Sequence, residues 1–374
     1  MTRRILCAGI ALWGLTGCPN PDPDPPVEVD DLDGIVTQRT TASANDRGRL
    51  YVKVDVGADD QAMMVYVSGD DLVSVEGVYD PSGEQLLDWR DWVDEFSLTS
   101  AVFVEGSASA INWPIRSEEG SLTPGTWQIA FGVIDDEGFY IPNADLDVVI
   151  QTRGDPVPGE ARVSVELVYT EGVGNDEAVV SATEAAVARW SEIWAGYGLS
   201  LDVTYRTGQG LSDQLTDLSE TGSDAILNQS TQSTDNDITV LIGETIGNLD
   251  DVYGIAGGIP WTPTETDRSA VVISWLANAG GDGNFDEEDI RLYGETLAHE
   301  VGHYMGLFHP VEDGWTFYDA LSDTADCSNV RQCEGQLGDN LMFPYTVCDF
   351  NTCIPQDQLS DNQQVTLRNY IGAR

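Results

Sequence analysis

The sequence predicts a multidomain chain in which an all-β sandwich, over about residues 35–155, precedes an α/β (α+β) domain over residues 160–374. Three observations predict it. Apolar and polar residues alternate singly through the first region, the period of strands half-buried on one face. Beyond residue 160, strand-like runs alternate with a helical pattern, the order of an α/β layer. Between them, Arg153-Gly154-Asp155-Pro156-Val157-Pro158-Gly159 is dense in turn formers and reads as a boundary. At 374 residues there is room for about two domains, and 41% hydrophobic residues suffice to bury their cores.

The chain begins with Arg3 and Arg4 before an apolar run from Ile5 to Leu15, a secretory-signal pattern too short to span a bilayer. The run ends in Leu15-Thr16-Gly17-Cys18, which resembles the lipobox of bacterial lipoproteins. That resemblance implies removal of residues 1–17, lipid on the Cys18 thiol, and an exported lipoprotein of the outer membrane or cell surface. The plainer alternative is an ordinary signal peptide with an incidental cysteine. Residues 18–34, rich in Pro and Asp, read as an extended tether.

Charge is one-sided: 64 acidic against 17 basic residues, a formal net charge of −47. Such a polyanion repels nucleic acid and anionic lipid, which excludes nucleic-acid partners and leaves membrane contact to the lipid on Cys18. The sequence indicates no oligomeric state.

In the first region Leu50, Val52, Val54 and Val56 point one way, and Tyr51, Lys53 and Asp55 the other. After the turn at Thr123-Pro124-Gly125, Trp127, Ile129, Phe131 and Val133 repeat the pattern. Met63–Val67 and Asp145–Ile150 are further apolar runs. With no histidine here, the region reads as an accessory module, or less readily as a pro-segment.

In the second region Val163, Val165, Leu167 and Tyr169 mark a strand. Asn175 to Trp194 follow as a helix through Val179, Ala182, Ala186, Trp190 and Ile193. Strands are expected again at Leu199–Tyr205, Ile238–Ile242 and Ala270–Trp275. Next, Asp282, Asn284 and Asp286 occupy the first three ligand spacings of a calcium loop, but the pattern then breaks at Glu287 and Tyr293. Calcium is thus a candidate cofactor. The competing reading makes Asp286 the N-cap of an acidic helix start. That helix is expected from about Glu287 to Met305, with Leu292, Thr296, Ala298, Val301 and Met305 on its buried face.

Its last turn carries His299-Glu300-Val301-Gly302-His303, followed by Tyr304-Met305-Gly306-Leu307-Phe308-His309, and these are all the histidines of the chain. His299 and His303 stand four apart, on one helical face. Gly306 can adopt the left-handed conformation that ends a helix, returning His309 as a third ligand. Three imidazoles leave a fourth position open for water, the catalytic arrangement of zinc. Glu300 can reach that water without being a ligand.

The stretch resembles the zinc signature of the metzincin metallopeptidases, and Asp339-Asn340-Leu341-Met342-Phe343-Pro344-Tyr345 resembles their Met-turn. The resemblance implies a metzincin-like zinc peptidase domain, with zinc on His299, His303 and His309, Glu300 as general base and Met342 packed beneath the metal. It also implies a protein or peptide substrate, hydrolysed by Glu-assisted attack of zinc-bound water, and makes Ala270–Trp275 the sheet edge beside the cleft. Serralysins and astacins place a tyrosine two residues after the methionine. Pro344 stands there, and Tyr345, one further on, is the candidate transition-state donor. Subfamily features are mixed: Pro310 is serralysin-like, Leu341 to Pro344 matrixin-like, and Ser322-Asp323-Thr324 with Gln363 and Gln364 pappalysin-like. Glu295, one turn before His299, is either an orienting partner for that ring or an exposed charge. Two other functions compete: a non-enzymatic surface lipoprotein with a structural zinc, and a zinc hydrolase of non-peptide amides.

Cys327, Cys333, Cys348 and Cys353 follow the motif, and in an exported chain they read as two disulfides. Four cysteines allow three pairings; the local pairs, Cys327 with Cys333 and Cys348 with Cys353, are preferred. A second zinc site is disfavoured because no C-x-x-C spacing occurs.

Overall fold

A computed structural model describes residues 28–32, 34–94, 97–99, 106–154, 161–219, 222–233, 238–249, 251–263, 266–312, 314–349 and 352–374. The leader, Cys18, the tether up to residue 27 and most of the expected boundary turn lie outside these residues. The architecture is mixed α/β and rich in sheet.

The N-terminal residues form two antiparallel sheets. One has five strands in the order Glu28–Leu32, Ile35–Ser43, Asp145–Arg153, Ala62–Gly69 and Ala108–Trp113. The other has four, in the order Arg49–Val56, Gly125–Ile134, Leu72–Tyr79 and Gln85–Asp88. Their strands alternate because successive side chains leave opposite faces. Leu50, Val52, Val54 and Val56 are buried while Tyr51, Lys53 and Asp55 are exposed. The buried set meets Met63, Val65, Val67, Ile111 and Trp113 of the five-stranded sheet in one cluster.

Strand Ala62–Gly69 has both faces covered, which explains its unbroken apolar run. Met63, Val65 and Val67 face the four-stranded sheet, whereas Ala62, Met64 and Tyr66 join a second cluster with Val163, Val165, Trp190 and Val301. The N-terminal sheets are therefore packed onto the rest of the chain. Tyr66 meets Trp261 edge to face at 5.3 Å, a geometry worth about 0.5–1.5 kcal/mol beyond burial. The Asn112 amide donates to Asn369 O and accepts from Ile371 N, each at 2.8 Å. Ser97–Leu98 pairs in parallel with Tyr318–Asp319 across the same seam.

The C-terminal sheet runs Leu199–Thr207, Ala161–Tyr169, Ile238–Gly243, Val271–Ser274, Gly254–Ala256. The first four strands are parallel and the last is antiparallel. Against it lies the helix Glu177–Ala195, capped by the Asp176 carboxylate and burying Val179, Ala182, Ala186, Trp190 and Ile193. One expectation is corrected. The strand at Val271–Ser274 is interior, and the edge is the three-residue strand Gly254–Ala256. Three residues followed by Gly257 and Gly258 are too few to show a period, so pairing alone makes this segment a strand. Both local disulfides, Cys327–Cys333 and Cys348–Cys353, are present. Among the described residues, no helix is long and apolar enough to cross a membrane.

Candidate metal centre

The helix carrying the motif spans Glu287–Tyr304. Asp286 caps it: its carboxylate accepts from Glu288 N (2.8 Å) and Asp289 N (2.9 Å), and Asp289 returns the bond to Asp286 N (2.8 Å). Such a cap is worth about 0.5–2 kcal/mol. Asp282 accepts from Asn284 N at 2.8 Å, closing a local turn. The calcium candidates Asp282, Asn284 and Asp286 are engaged in these turn and cap hydrogen bonds. Among the described residues, the one grouping of three or more metal-capable side chains is His299, His303 and His309.

The buried face of this helix is Tyr293, Leu297, Ala298 and Val301, continued by Met305. Leu292 and Thr296, expected in that face, instead line a recess of about 230 Å³ beside His299 and Glu300. Glu295 is 4% exposed and does not orient His299. It pairs with Arg291 at 2.7 Å and with Arg189 at 3.3 Å, stapling the two long helices. A buried carboxylate needs such partners, because an unpaired one carries a large desolvation cost.

Helix termination follows the glycine. Gly306 has φ +112°, and Leu307 N donates to Gly302 O while Gly306 N donates to His303 O. The reversal brings the His309 Nε2 to 3.1 Å from that of His303 and 3.3 Å from that of His299. A tetrahedral ion with nitrogen ligands at about 2.0–2.1 Å would hold those nitrogens roughly 3.3 Å apart. The donor set therefore fits zinc.

Each ring is fixed from behind. His299 Nδ1 donates to Leu341 O (2.7 Å), His303 Nδ1 to Leu307 O (2.6 Å) and His309 Nδ1 to Glu312 Oε2 (2.9 Å). These acceptors select the tautomer whose Nε2 lone pair faces the shared point. Burial, then the charge of His309, lowers the His299 pKa to about 3, against the opposing Leu341 carbonyl. Burial also holds His303 well below its ordinary value. Both are neutral, as ligands must be.

Glu300 lines the same cleft of about 630 Å³ as the three histidines. Burial pushes its pKa up to about 8, opposed by the Ala256 N–H, which donates to the carboxylate from the edge strand. Opposite lies Gly254, where a Cβ would stand 2.5 Å from Glu300 Cγ and 3.0 Å from its Cδ. Glycine is needed here for space, not for a special φ.

Met342 is fully buried, and a Cβ on Gly302 would lie 2.9 Å from its sulfur, so the methionine sits directly under the helix between His299 and His303. Its N–H donates to Asn340 Oδ1 (2.9 Å), and Asn340 exchanges two amide bonds with Gln363, at 2.8 and 3.2 Å. The Tyr345 ring lines the recess, and its hydroxyl donates to Glu334 at 3.2 Å. Gly254, the Ala256 amide, Glu312, Asn340 and the Asn340–Gln363 bond were missed from sequence. Only Gly254, in a Gly-Ile-Ala-Gly-Gly run, carried a local signal of close approach.

No family model and no curated protein matches the chain. Solved structures similar to it include metalloproteinases. Metalloproteinase-II from Bacteroides fragilis is 12% identical with a TM-score of 0.28, over 76% of this chain and 81% of that one. Archaemetzincin from Methanopyrus kandleri is 15% identical with a TM-score of 0.27, over 44% and 84%. Myroilysin is 11% identical with a TM-score of 0.28, over 57% and 94%. Likeness this low leaves the functional conclusion to the site's own geometry.

Proposed function

We propose that the chain is a zinc metalloendopeptidase of metzincin type, cleaving peptide bonds of extracellular or surface proteins. The observation that carries this reading is the convergence of three Nε2 atoms, 3.1 and 3.3 Å apart, with Glu300 on the same cleft wall. His299, His303 and His309 would hold zinc, which when bound supplies a Lewis acid and an acidified water. Glu300 takes the proton of the attacking water and passes it to the leaving amine. The Ala256 N–H favours the charged form of that carboxylate. The edge strand Gly254–Ala256 offers its outer backbone groups to an extended peptide. Leu292, Thr296, Phe343 and Tyr345 enclose a side-chain recess next to the reacting bond.

In this reading residues 35–155 are a β-sandwich acting as an accessory module, and residues 160–374 are the peptidase. Their shared core and seam bonds favour the accessory role over a detachable pro-segment. Residues 1–17 are the leader, Cys18 carries the lipid, and the protein is exported to the cell surface.

The test is cleavage of a peptide library by the mature protein, with and without chelator, beside Glu300→Gln. The parent should cleave and lose activity with its zinc. The variant should keep zinc and cleave about 10²–10⁴-fold more slowly. A variant as active as the parent refutes the mechanism.

A further inference from the structure

The three histidines differ in what stands behind them. His299 and His303 rest on neutral main-chain carbonyls, those of Leu341 and Leu307. His309 alone rests on a carboxylate, Glu312 Oε2 at 2.9 Å. It is also the one ligand outside the helix, placed on a loop beyond Gly306 and lacking the backbone ladder that orients the other two.

Glu312 is itself held. Its N–H donates to Phe317 O (2.9 Å), and its carbonyl accepts from Trp315 N (3.0 Å). This closes a tight turn in which Gly314 and Trp315 both have positive φ, +97° and +58°. Val311 bridges Tyr318 at the turn's base, and the Trp315 ring packs on Tyr345 at 6.3 Å. A non-glycine residue at positive φ is uncommon, so the turn is held by its surroundings and keeps its carboxylate at the ring.

We infer that Glu312 is the positioning residue for the metal: it locks the His309 ring and strengthens its Nε2 as a donor. The inference rests on the zinc reading above. A carboxylate accepting from Nδ1–H polarises the ring more than a carbonyl does and leaves negative charge behind the ligand. Loss of such a partner typically weakens metal binding about 10–100-fold. The Glu312 side chain is one-third exposed and belongs to no hydrophobic cluster, although Val311 and Trp315 beside it do, so its removal should leave the fold alone.

The experiment measures zinc affinity of the full mature chain by competition with a chromophoric chelator, for the parent, Glu312→Gln and Glu312→Ala. Unfolding temperatures without metal are recorded in parallel, with the visible absorption of the cobalt-substituted proteins. Glu312→Ala should bind zinc about 10–100-fold more weakly. Glu312→Gln, which keeps an acceptor but not the charge, should fall between, and both should unfold where the metal-free parent does. An altered cobalt spectrum in Glu312→Ala supports a displaced ring. Equal zinc affinity in all three proteins overturns the inference while leaving the zinc site intact. A loss of metal-free stability that parallels the affinity loss overturns it too, since the role is then structural. A parent that binds no zinc overturns the metallopeptidase reading itself.

Discussion

The cleft has two walls that hold their chemistry in different ways. One is the helix Glu287–Tyr304: eighteen residues, doubly capped at its start and ended by a glycine. It carries two histidines and Glu300 on its own hydrogen-bond ladder. The other is the strand Gly254–Ala256, three residues that owe their shape to pairing with Val271–Ser274. It contributes no side-chain ligand, only an amide to Glu300 and a gap where a side chain is missing. In the proposed mechanism the helix wall supplies the reacting groups, and the strand wall borders the Glu300 carboxylate. Between these two walls, activity should therefore be lost from either, but metal from the helix and not from the strand.

The largest effect is expected from the helix wall. His303→Ala removes the most buried ligand, and zinc should be lost on dialysis, which metal analysis reads directly. Gly254→Ala probes the strand wall. Its Cβ would meet Glu300 Cγ at 2.5 Å. Overpacking of this kind costs about 1–3 kcal/mol, which as a displaced base corresponds to roughly 5–150-fold in kcat. Zinc content should stay that of the parent. If kcat is unchanged, or zinc is lost as well, the division between the walls fails.

A smaller effect is expected beneath the helix. Asn340→Ala strands the Met342 N–H and the Gln363 amide in a buried place, at about 1–3 kcal/mol of stability. Chemical denaturation would measure it, and Gln363→Ala on the same background should add less than it does alone.

The smallest effect lies at the seam, away from both walls. Asp319 is buried, its Oδ2 has no hydrogen-bond partner among the described residues, and its pKa is pushed up to about 7 by burial, against the Thr324 hydroxyl and the Leu321 N–H. The folded value lies above the ordinary carboxylate value of 3.8. Its contribution to stability is thus fully present below about pH 4 and lost as pH rises through 7. Asp319→Asn should gain unfolding temperature over the parent at pH 8 and gain little at pH 4. Equal gains at both pH values would contradict the titration.

The same contrast explains what could be read from sequence. The histidine triad was legible because all three fall within eleven residues, where helix geometry and one glycine turn spacing into position. Strands such as Arg49–Val56 were legible because one face meets solvent. The strand at the cleft edge was not, because three residues carry no period and its identity lies in a partner nearly twenty residues away. Asp282, Asn284 and Asp286 match half a calcium pattern, but the same residue types also make turns and caps: Asp282 and Asn284 close a turn and Asp286 caps the helix. Glu312 and Gln363 show their role only when the turns they hold are folded.

The central claim is that three imidazoles share one zinc ion and leave one corner open. X-ray absorption at the zinc edge of the mature protein tests it most directly. The account predicts a four-coordinate shell of three imidazole nitrogens and one oxygen at roughly 2.0–2.1 Å. A shell containing cysteine sulfur, or zinc bound with fewer than three imidazoles, would contradict it.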